Sequence, residues 1–588
     1  MKTILTTLNS KYIHSNLAIR YLSKYVEDIK DVALVEFTIN QDRDFITAEL
    51  HKMEADLIGF STYIWNLNET LEVCQVLKIA NPNLKILLGG PEVTFDGEKI
   101  LKNHPYIDFI IYGEGEESFR DFLSTLDNNR DLSSVKGLIY REGERIIKNQ
   151  PRPLLADLNQ IPSPYEQVGK EFKNRIVYYE SSRGCPFNCQ FCLSSTIRGV
   201  RYFNIERVKK DLSNLIEGQV RQVKFIDRTF NANKRYAMEI MQFIMDKDPE
   251  NINFHFEVTA HLIDHELLDF ISQAKEGLFQ FEIGVQSTKD KTIEAIGRTT
   301  DLDKLKTVVR KIKSFGNIHQ HLDLIAGLPY ESYERFKKSF NEVYDLKVEK
   351  VQLGFLKLLK GSGLRNNQKK YGYKYLNKPP YEIISNNYIS YSQIIRLKGI
   401  EDLVEKYYNG GYFEHTLEFL IRNFYQGAFD FYEDLLDYWE EKSYHKLSHS
   451  RKNLYKHLKN FIKHKGYKDS KILFNLLKYD FLGNNPRTNL PSFLETRSPA
   501  LSRRTVHQIL KEEGLLNKYL PEHKNMATKK LINQVQLVSF DINILELIDN
   551  GYNPYKKGEE TFILLKYMDG QINRYQAWDI TELVKELI

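Results

Sequence analysis

Residues 181–194 read S-S-R-G-C-P-F-N-C-Q-F-C-L-S. They set Cys185, Cys189 and Cys192 in a C-x-x-x-C-x-x-C spacing directly after the β-branched and aromatic run Ile176–Tyr179. The chain has four cysteines, and three of them stand in this short stretch. Three thiolates on a tight loop can each bind one iron of a cubane [4Fe–4S] cluster, which leaves the fourth iron without a protein ligand. A small molecule can coordinate that open iron and be reduced there. A zinc ion would ask for a fourth ligand; the remaining cysteine, Cys74, lies far upstream, so a distant His would have to serve. A structural disulfide does not need clustered cysteines in a chain so poor in them.

Outside this loop the composition sets bounds. A chain of 588 residues exceeds one hydrophobic core, so several domains are expected. No apolar run reaches the ~18–20 residues of a membrane span. The opening M-K-T-I-L-T-T-L is too short and too polar for a signal peptide. Scarce cysteines suit a reducing compartment, and a cytoplasmic location is expected. A net charge of +5 diluted over this length names no partner.

Residues 1–150 alternate strand and helix patterns. Strand-like runs fall at 4–8, 32–39, 57–64, 86–89 and 109–112, with helix-period stretches at 16–26, 42–53, 68–80, 96–103 and 116–126. Five β-α units predict a doubly wound parallel sheet, in which ligands bind beyond the carboxyl ends of the strands. The loops there read N-S-K-Y-I-H (9–14), S-T-Y (61–63), G-G-P-E (89–92) and G-E-G-E (113–116). Cys74, at helical spacing from Leu71 and Leu77, is expected in the core. A hairpin over 135–147 closes the segment, and a proline-rich linker, 151–172, follows.

Residues 173–375 repeat the alternation, with strands expected at 176–179, 223–226, 254–258, 278–285, 319–325 and 351–359. Polar residues gather at their carboxyl ends: Asp227, Glu257, Gln286 and Asp323, with Arg298 in I-G-R. Beyond 376 the chain turns helical, aromatic and locally basic. The amphipathic stretches 414–424 and 428–442 are split at Gln426-Gly427, and strands are expected at 534–540 and 561–568. From Lys442 to Lys468 there is no acidic residue, while Tyr444, Tyr455, Phe461 and Tyr467 interleave with the cations. Such a helix can bind nucleic acid, but the preferred reading is a solvated face with its aromatics packed inward.

The cysteine loop, with Phe191 before its third cysteine, resembles that of radical S-adenosylmethionine (SAM) enzymes. That resemblance implies a partial (β/α)6 barrel and a [4Fe–4S] cluster whose open iron chelates SAM and cleaves it to a 5′-deoxyadenosyl radical. The stretch from Glu257 through I-G-V-Q-S, I-G-R and D-L-I-A-G-L-P is similar to the coproporphyrinogen dehydrogenase-like branch. Carried over, Glu257 contacts the methionine or ribose portion, Gln286 and Asp323 the ribose hydroxyls, and Arg298 the carboxylate. Asp227 contacts the amino group, although its surroundings depart from the G-G-E form of that motif. Phe191 contacts adenine through its backbone.

Residues 1–150, with G-G-P and Y-G-E-G-E after successive strands, resemble the Rossmann- or flavodoxin-like cobalamin-binding domain that precedes many radical SAM cores. The resemblance implies that Ser61, Thr62, Gly89, Gly90, Gly113 and Gly115 line the cobalamin tail or corrin face. The D-x-H-x-x-G signature is absent: His14 has Tyr12 at the Asp position and Leu17 at the Gly position. His14 is therefore read as a polar loop residue. Residues 376–588 resemble a mainly helical domain of unknown function appended to such proteins.

The expected activity is a cobalamin-dependent radical SAM methyltransferase acting on an unactivated carbon of a small-molecule or peptide substrate. A flavodoxin or ferredoxin is the expected electron donor, with neither a nucleic-acid partner nor a membrane span. The alternatives are a radical rearrangement, cyclisation or oxidation with cobalamin accessory or absent, and a non-catalytic cobalamin or metabolite sensor that binds nucleic acid.

Overall fold

Strand β1, Thr3–Asn9, is buried at every position, which makes it the centre of a sheet rather than an edge. Val32–Thr38 (β2) and Leu57–Ser61 (β3) lie parallel on its two sides. Lys85–Gly89 (β4) and Phe109–Ile111 (β5) continue the parallel order. Leu138–Glu142 (β6) and Arg145–Lys148 (β7) then add antiparallel, so the order is β2-β1-β3-β4-β5-β6-β7. The parallel part is thus a flavodoxin-like doubly wound sheet, with its switch between β1 and β3. The hairpin read as a closing element is the extended edge of this sheet. Helix Leu67–Ala80 buries Leu67, Val73, Cys74 and Leu77 against one face, so Cys74 is core. Helices Leu17–Tyr25 and Glu116–Asp127 bury Ile19, Phe119 and Phe122 against the other.

In this computed structural model the residues described are 1–588 except 174, 198, 487, 497–500, 554–559, 569–573 and 588. They divide into two compact units: Met1–Val308 with Ile325–Ser332 and Gly354–Tyr391, and Val309–Leu324 with Tyr333–Leu353 and Ser392–Ile588.

The first unit also holds the strands around the cysteine loop. Ile176–Tyr179 (β8) is followed by an antiparallel pair, Ser182–Cys185 (β9) and Gly199–Tyr202 (β10), which brackets that loop. Gln222–Phe225 (β11), Asn253–Val258 (β12) and Phe279–Gln286 (β13) then run parallel to β8 in chain order. Along the chain, His319–Ala326 (β14) and Lys350–Phe355 (β15), most of whose residues fall in the second unit, bring the β-α alternation to six strands.

The two faces of these strands differ. Tyr179, Phe225, Phe256 and Phe279 pack against one another, edge-on or tilted, along one face. The other face carries Tyr178, Lys224, His255 and Gln280 in register. An apolar outer face and a polar inner one suit a barrel that encloses a site rather than a packed core. Short strands Lys374–Tyr375 (β16) and Ile383–Ser385 (β17) pair beyond the last of these units.

In the second unit, helices Glu414–Phe424 and Ala428–Glu441 are separated at residues 425–427, as the sequence predicts. The basic helix Arg451–Lys465 buries Leu454, Tyr455, Leu458, Phe461 and Ile462, while Lys452, Lys456 and Lys463 face solvent. Its aromatics are inward, which is the solvated-face reading. Val535–Phe540 (β18), Thr561–Tyr567 (β19) and Tyr575–Asp579 (β20) form an antiparallel sheet. The third strand, Y-Q-A-W-D, carries Tyr575 and Trp578 but no β-branched residue, a weak strand signal within a stretch expected to hold two or more strands. No helix among the described residues is long and apolar enough to cross a membrane.

Candidate functional site

The cysteine loop is fixed at its entry, its exit and its middle. At the ends, Cys185 of β9 pairs with Gly199 of β10. A side chain at Gly184 would meet the Gly199 carbonyl at 2.1 Å, so only glycine lets the two strands close here. In the middle, the Gln190 amide donates to the Ile296 carbonyl at 2.7 Å, and the Leu364 amide donates to the Gln190 carbonyl at 2.8 Å. All three thiols are unpaired by disulfides; Cys189 is buried, and Cys185 and Cys192 are half-buried. Burial pushes the Cys189 thiol up, and the Arg298 guanidinium opposes it, with Nη1 lying 3.8 Å from Sγ. Among the described residues no three His, Cys, Asp or Glu side chains gather around a single ion. A cubane asks less, since each thiolate meets a different iron.

The residues expected to serve SAM lie at the strand ends. Gln286 closes β13 with φ of +68°, a strained value for a residue with a side chain, and it is 7 % exposed. Its Oε1 is buried without a hydrogen-bond partner. A side chain at Gly284 would meet Gln286 Nε2 at 2.2 Å and Arg298 Nη2 at 3.4 Å, so both groups converge over this bare backbone. Arg298 donates to the Gly284 carbonyl (2.7 Å) and to Thr300 Oγ1 (3.2 Å), and it also reaches Cys189. A guanidinium has five N–H donors, so not all are spent.

Glu257, on β12, is half-buried, and desolvation pushes its carboxyl up while Arg228 opposes that. Its register partner Glu282 behaves oppositely. Burial works against ionisation, but bonds from His255 (2.9 Å) and Lys224 (3.0 Å) hold its carboxyl down at about 2. Asp323 is half-buried on β14, in the second unit, and Phe191 is half-buried in the loop.

Asp227 is placed differently from the others. Both its oxygens accept bonds from the residues that open the cysteine loop: Ser181 N at 2.9 Å, Ser181 Oγ at 2.6 Å and Ser182 Oγ at 2.6 Å. Thr229, two residues on, lies 3.6 Å from Cys185 Sγ.

The glycine loops of the first sheet line a cavity of about 300 Å³ at the carboxyl ends of β3, β4 and β5. Five of the six expected residues face it: Ser61, Gly89, Gly90, Gly113 and Gly115. Thr62 does not; its amide and Oγ1 both donate to the Gly89 carbonyl (2.8 and 2.6 Å), tying one loop to the next. His14 is likewise engaged elsewhere, with Nδ1 2.8 Å from the Tyr178 hydroxyl, and burial lowers its pKa.

The lining also includes Tyr63, Glu114 and Glu116 of the S-T-Y and G-E-G-E loops, and Glu180, Arg183 and Ile226, which sequence reasoning did not assign to this cavity. Arg183 stands inside the S-S-R-G-C stretch, and two glutamates alternate with glycine in G-E-G-E.

The B12 binding domain family matches residues 4–123, and the Radical SAM superfamily matches residues 179–343. A protein of unknown function family, DUF4080, matches residues 369–564. The chain is 28% identical over 350 residues to an uncharacterized methyltransferase of Pyrococcus horikoshii, covering 57% of this chain and 74% of that protein. It is 25% identical over 445 residues to the cobalamin-dependent radical SAM methyltransferase TokK of Streptomyces tokunonensis, covering 68% and 64%. The chain thus spans slightly less than two thirds of TokK. The solved structure of OxsB, a cobalamin-dependent SAM radical enzyme, shares the fold with a TM-score of 0.58 at 16% identity, covering 82% and 84% of the two chains.

The cysteine loop on its β-α repeat falls within a radical SAM domain. That domain is preceded by a B12-binding domain and followed by a DUF4080 segment.

Proposed function

We propose that this protein is a cobalamin-dependent radical SAM methyltransferase that methylates an unactivated carbon. The observation that carries this reading is the border of the glycine-lined cavity: Glu180 and Arg183, which lead into Cys185, line it together with Gly89, Gly90 and Gly113. Residues 1–150 are assigned to the corrinoid, 151–172 to a linker, 173–375 to the radical core and 376–588 to a C-terminal domain.

The donor set fits the groups assigned to it. Three free thiols on one braced loop suit a [4Fe–4S] cluster held by Cys185, Cys189 and Cys192. The unpartnered Gln286 Oε1 suits a ribose hydroxyl donor, and the remaining N–H groups of Arg298 suit the SAM carboxylate. Glu257 and the Phe191 backbone complete the SAM set assigned within the first unit. The cavity, small beside a macrocycle, suits the tail of cobalamin, with Ser61, Gly89, Gly90, Gly113 and Gly115 as its walls. Thr62 holds two of those loops together. When bound, the cluster supplies an electron for SAM cleavage and cobalamin supplies a methyl carrier.

The chain's own part is positional. Arg298 sets a positive charge beside Cys189 and the SAM end of the site, favouring thiolate over thiol. Asp227 orients the entry to the loop through Ser181 and Ser182, a bracing role in place of the expected contact with the SAM amino group. Burial of Gln286 and Asp227 keeps bulk water from the strand ends. A flavodoxin or ferredoxin is the proposed reductant.

Anaerobic reconstitution with iron, sulfide and hydroxocobalamin, followed by metal analysis, tests this reading. About four irons and one cobalt per chain are expected. Full iron with no cobalt would leave a radical SAM enzyme without corrinoid and refute the methyltransferase reading.

A further inference from the structure

The loop that carries G-E-G-E and the hairpin that carries the cysteines are locked by buried charge. Arg183 on β9 and Arg201 on β10 are register partners. Arg183 Nη2 donates to Glu116 Oε1 at 2.5 Å and lies 2.8 Å from Glu180 Oε1, while Nη1 is 3.6 Å from Glu114. Arg201 reaches both oxygens of Glu114, at 2.6 and 3.1 Å. Side-chain exposure is 15 % for Arg183, 9 % for Glu116 and 17 % for Glu114, so water cannot easily replace a lost partner.

A second bridge runs from G-G-P-E. Tyr381 donates to Glu92 Oε2 at 2.8 Å, and Lys360 donates to the Glu92 carbonyl at 3.2 Å. A few residues past Lys360, the Leu364 amide holds the Gln190 carbonyl inside the cysteine loop. Two of the loops that wall the cavity are therefore tied to the cysteine loop by separate routes. Neither loop can shift without moving a buried ion or carbonyl off its partner.

We propose that Arg183 is a positioning residue that couples the two cofactor sites, so that a cluster on the cysteine loop tightens corrinoid binding in the cavity, and the reverse. This rests on the proposed function. The coupling is reciprocal by thermodynamic necessity, because the ion pairs bias a single arrangement that both ligands share. Glu116 and Glu114 supply the cavity side of the coupling, and Arg201 reinforces it.

The test measures hydroxocobalamin affinity by absorbance titration of the full chain, with and without the reconstituted cluster. The wild-type protein is expected to bind at least about fivefold more tightly when the cluster is present. In Arg183→Met that ratio falls to about one, and Arg183→Lys restores part of it. Glu116→Gln, which keeps shape and removes one charge, also lowers the ratio and serves if Arg183→Met does not fold. A merely structural role for Arg183 would weaken both affinities and leave their ratio intact. Equal affinities in the wild type, or an unchanged ratio in Glu116→Gln and in any folded Arg183→Met, overturns the coupling alone. Absence of hydroxocobalamin binding in both forms overturns the proposed function and the coupling with it.

Discussion

Asp227 accepts both the backbone amide (2.9 Å) and the hydroxyl (2.6 Å) of Ser181, where the chain leaves β8 for the cysteine loop. Burial pushes its carboxyl up, and the bonds from Ser181 and Ser182 oppose that, so the ionised form depends on those serines. Replacing the carboxylate by an amide turns one of two acceptors into a donor facing donors. Asp227→Asn is therefore expected to cut iron retained after reconstitution to about half or less, with the far-UV spectrum unchanged. Iron content equal to wild type would return Asp227 to a direct ligand-binding role.

Gln286 combines a left-handed backbone with a buried oxygen that has no partner, a cost to the folded chain. In Gln286→Leu the orphaned oxygen is removed while the left-handed backbone remains. Urea unfolding of the cluster-free protein should show stability unchanged or raised by about 1 kcal/mol. Equilibrium dialysis of the reconstituted protein should show SAM affinity reduced about tenfold or more. Loss of stability with SAM affinity retained would make Gln286 structural.

The two glycines at positive φ in the cavity wall are not equivalent. A side chain at Gly90 (φ +109°) would sit 2.4 Å from the Thr62 carbonyl, whereas one at Gly113 (φ +84°) meets nothing within 4 Å. Gly90→Ala is expected to cost more than about 2 kcal/mol, by strain and clash together. Gly113→Ala carries only the backbone strain, about 1 kcal/mol, and its methyl enters open space beside the cavity. Urea midpoints compare the two; a Gly113→Ala cost equal to that of Gly90→Ala would contradict the geometry.

His457, in the second unit, lies with Nε2 3.1 Å from His449 Nδ1 and packs at a tilt on the Tyr444 ring. Burial lowers its pKa to about 4 from 6.5, helped by His449 and Lys456. The folded pKa is below the unfolded one, so the unfolded chain binds a proton first. The stabilisation is complete above about pH 6.5 and is lost as pH falls toward about 4. Unfolding midpoints should drop across this window, and His457→Phe should flatten the drop. An unchanged slope in that variant would assign the effect to other groups.

The β-α alternation was legible because parallel strands buried on both faces read as short apolar runs between helix-period stretches. Strands β1, β3 and β4 carry that pattern. The cysteine loop was legible from spacing alone. The hairpin around it was not: β9 is S-R-G-C, whose pairing depends on Gly184 and Gly199 approaching closely, a tertiary fact without periodicity. The bracing roles of Asp227 and Thr62 were hidden for a similar reason. A strand-end aspartate looks the same in sequence whether it faces a ligand or a serine. Arg183 was hidden because its partners Glu114 and Glu116 lie in another β-α unit, and an ion pair across such a distance leaves no local pattern.

The most direct measurement follows the methyl group. Reconstituted protein, reduced with dithionite, is incubated anaerobically with hydroxocobalamin and SAM labelled at its methyl group. The account predicts 5′-deoxyadenosine among the products and label in the corrinoid fraction, both abolished when Cys185, Cys189 and Cys192 are replaced by Ala. A protein with its full complement of iron that yields neither product, or that yields them equally without the three cysteines, would contradict it.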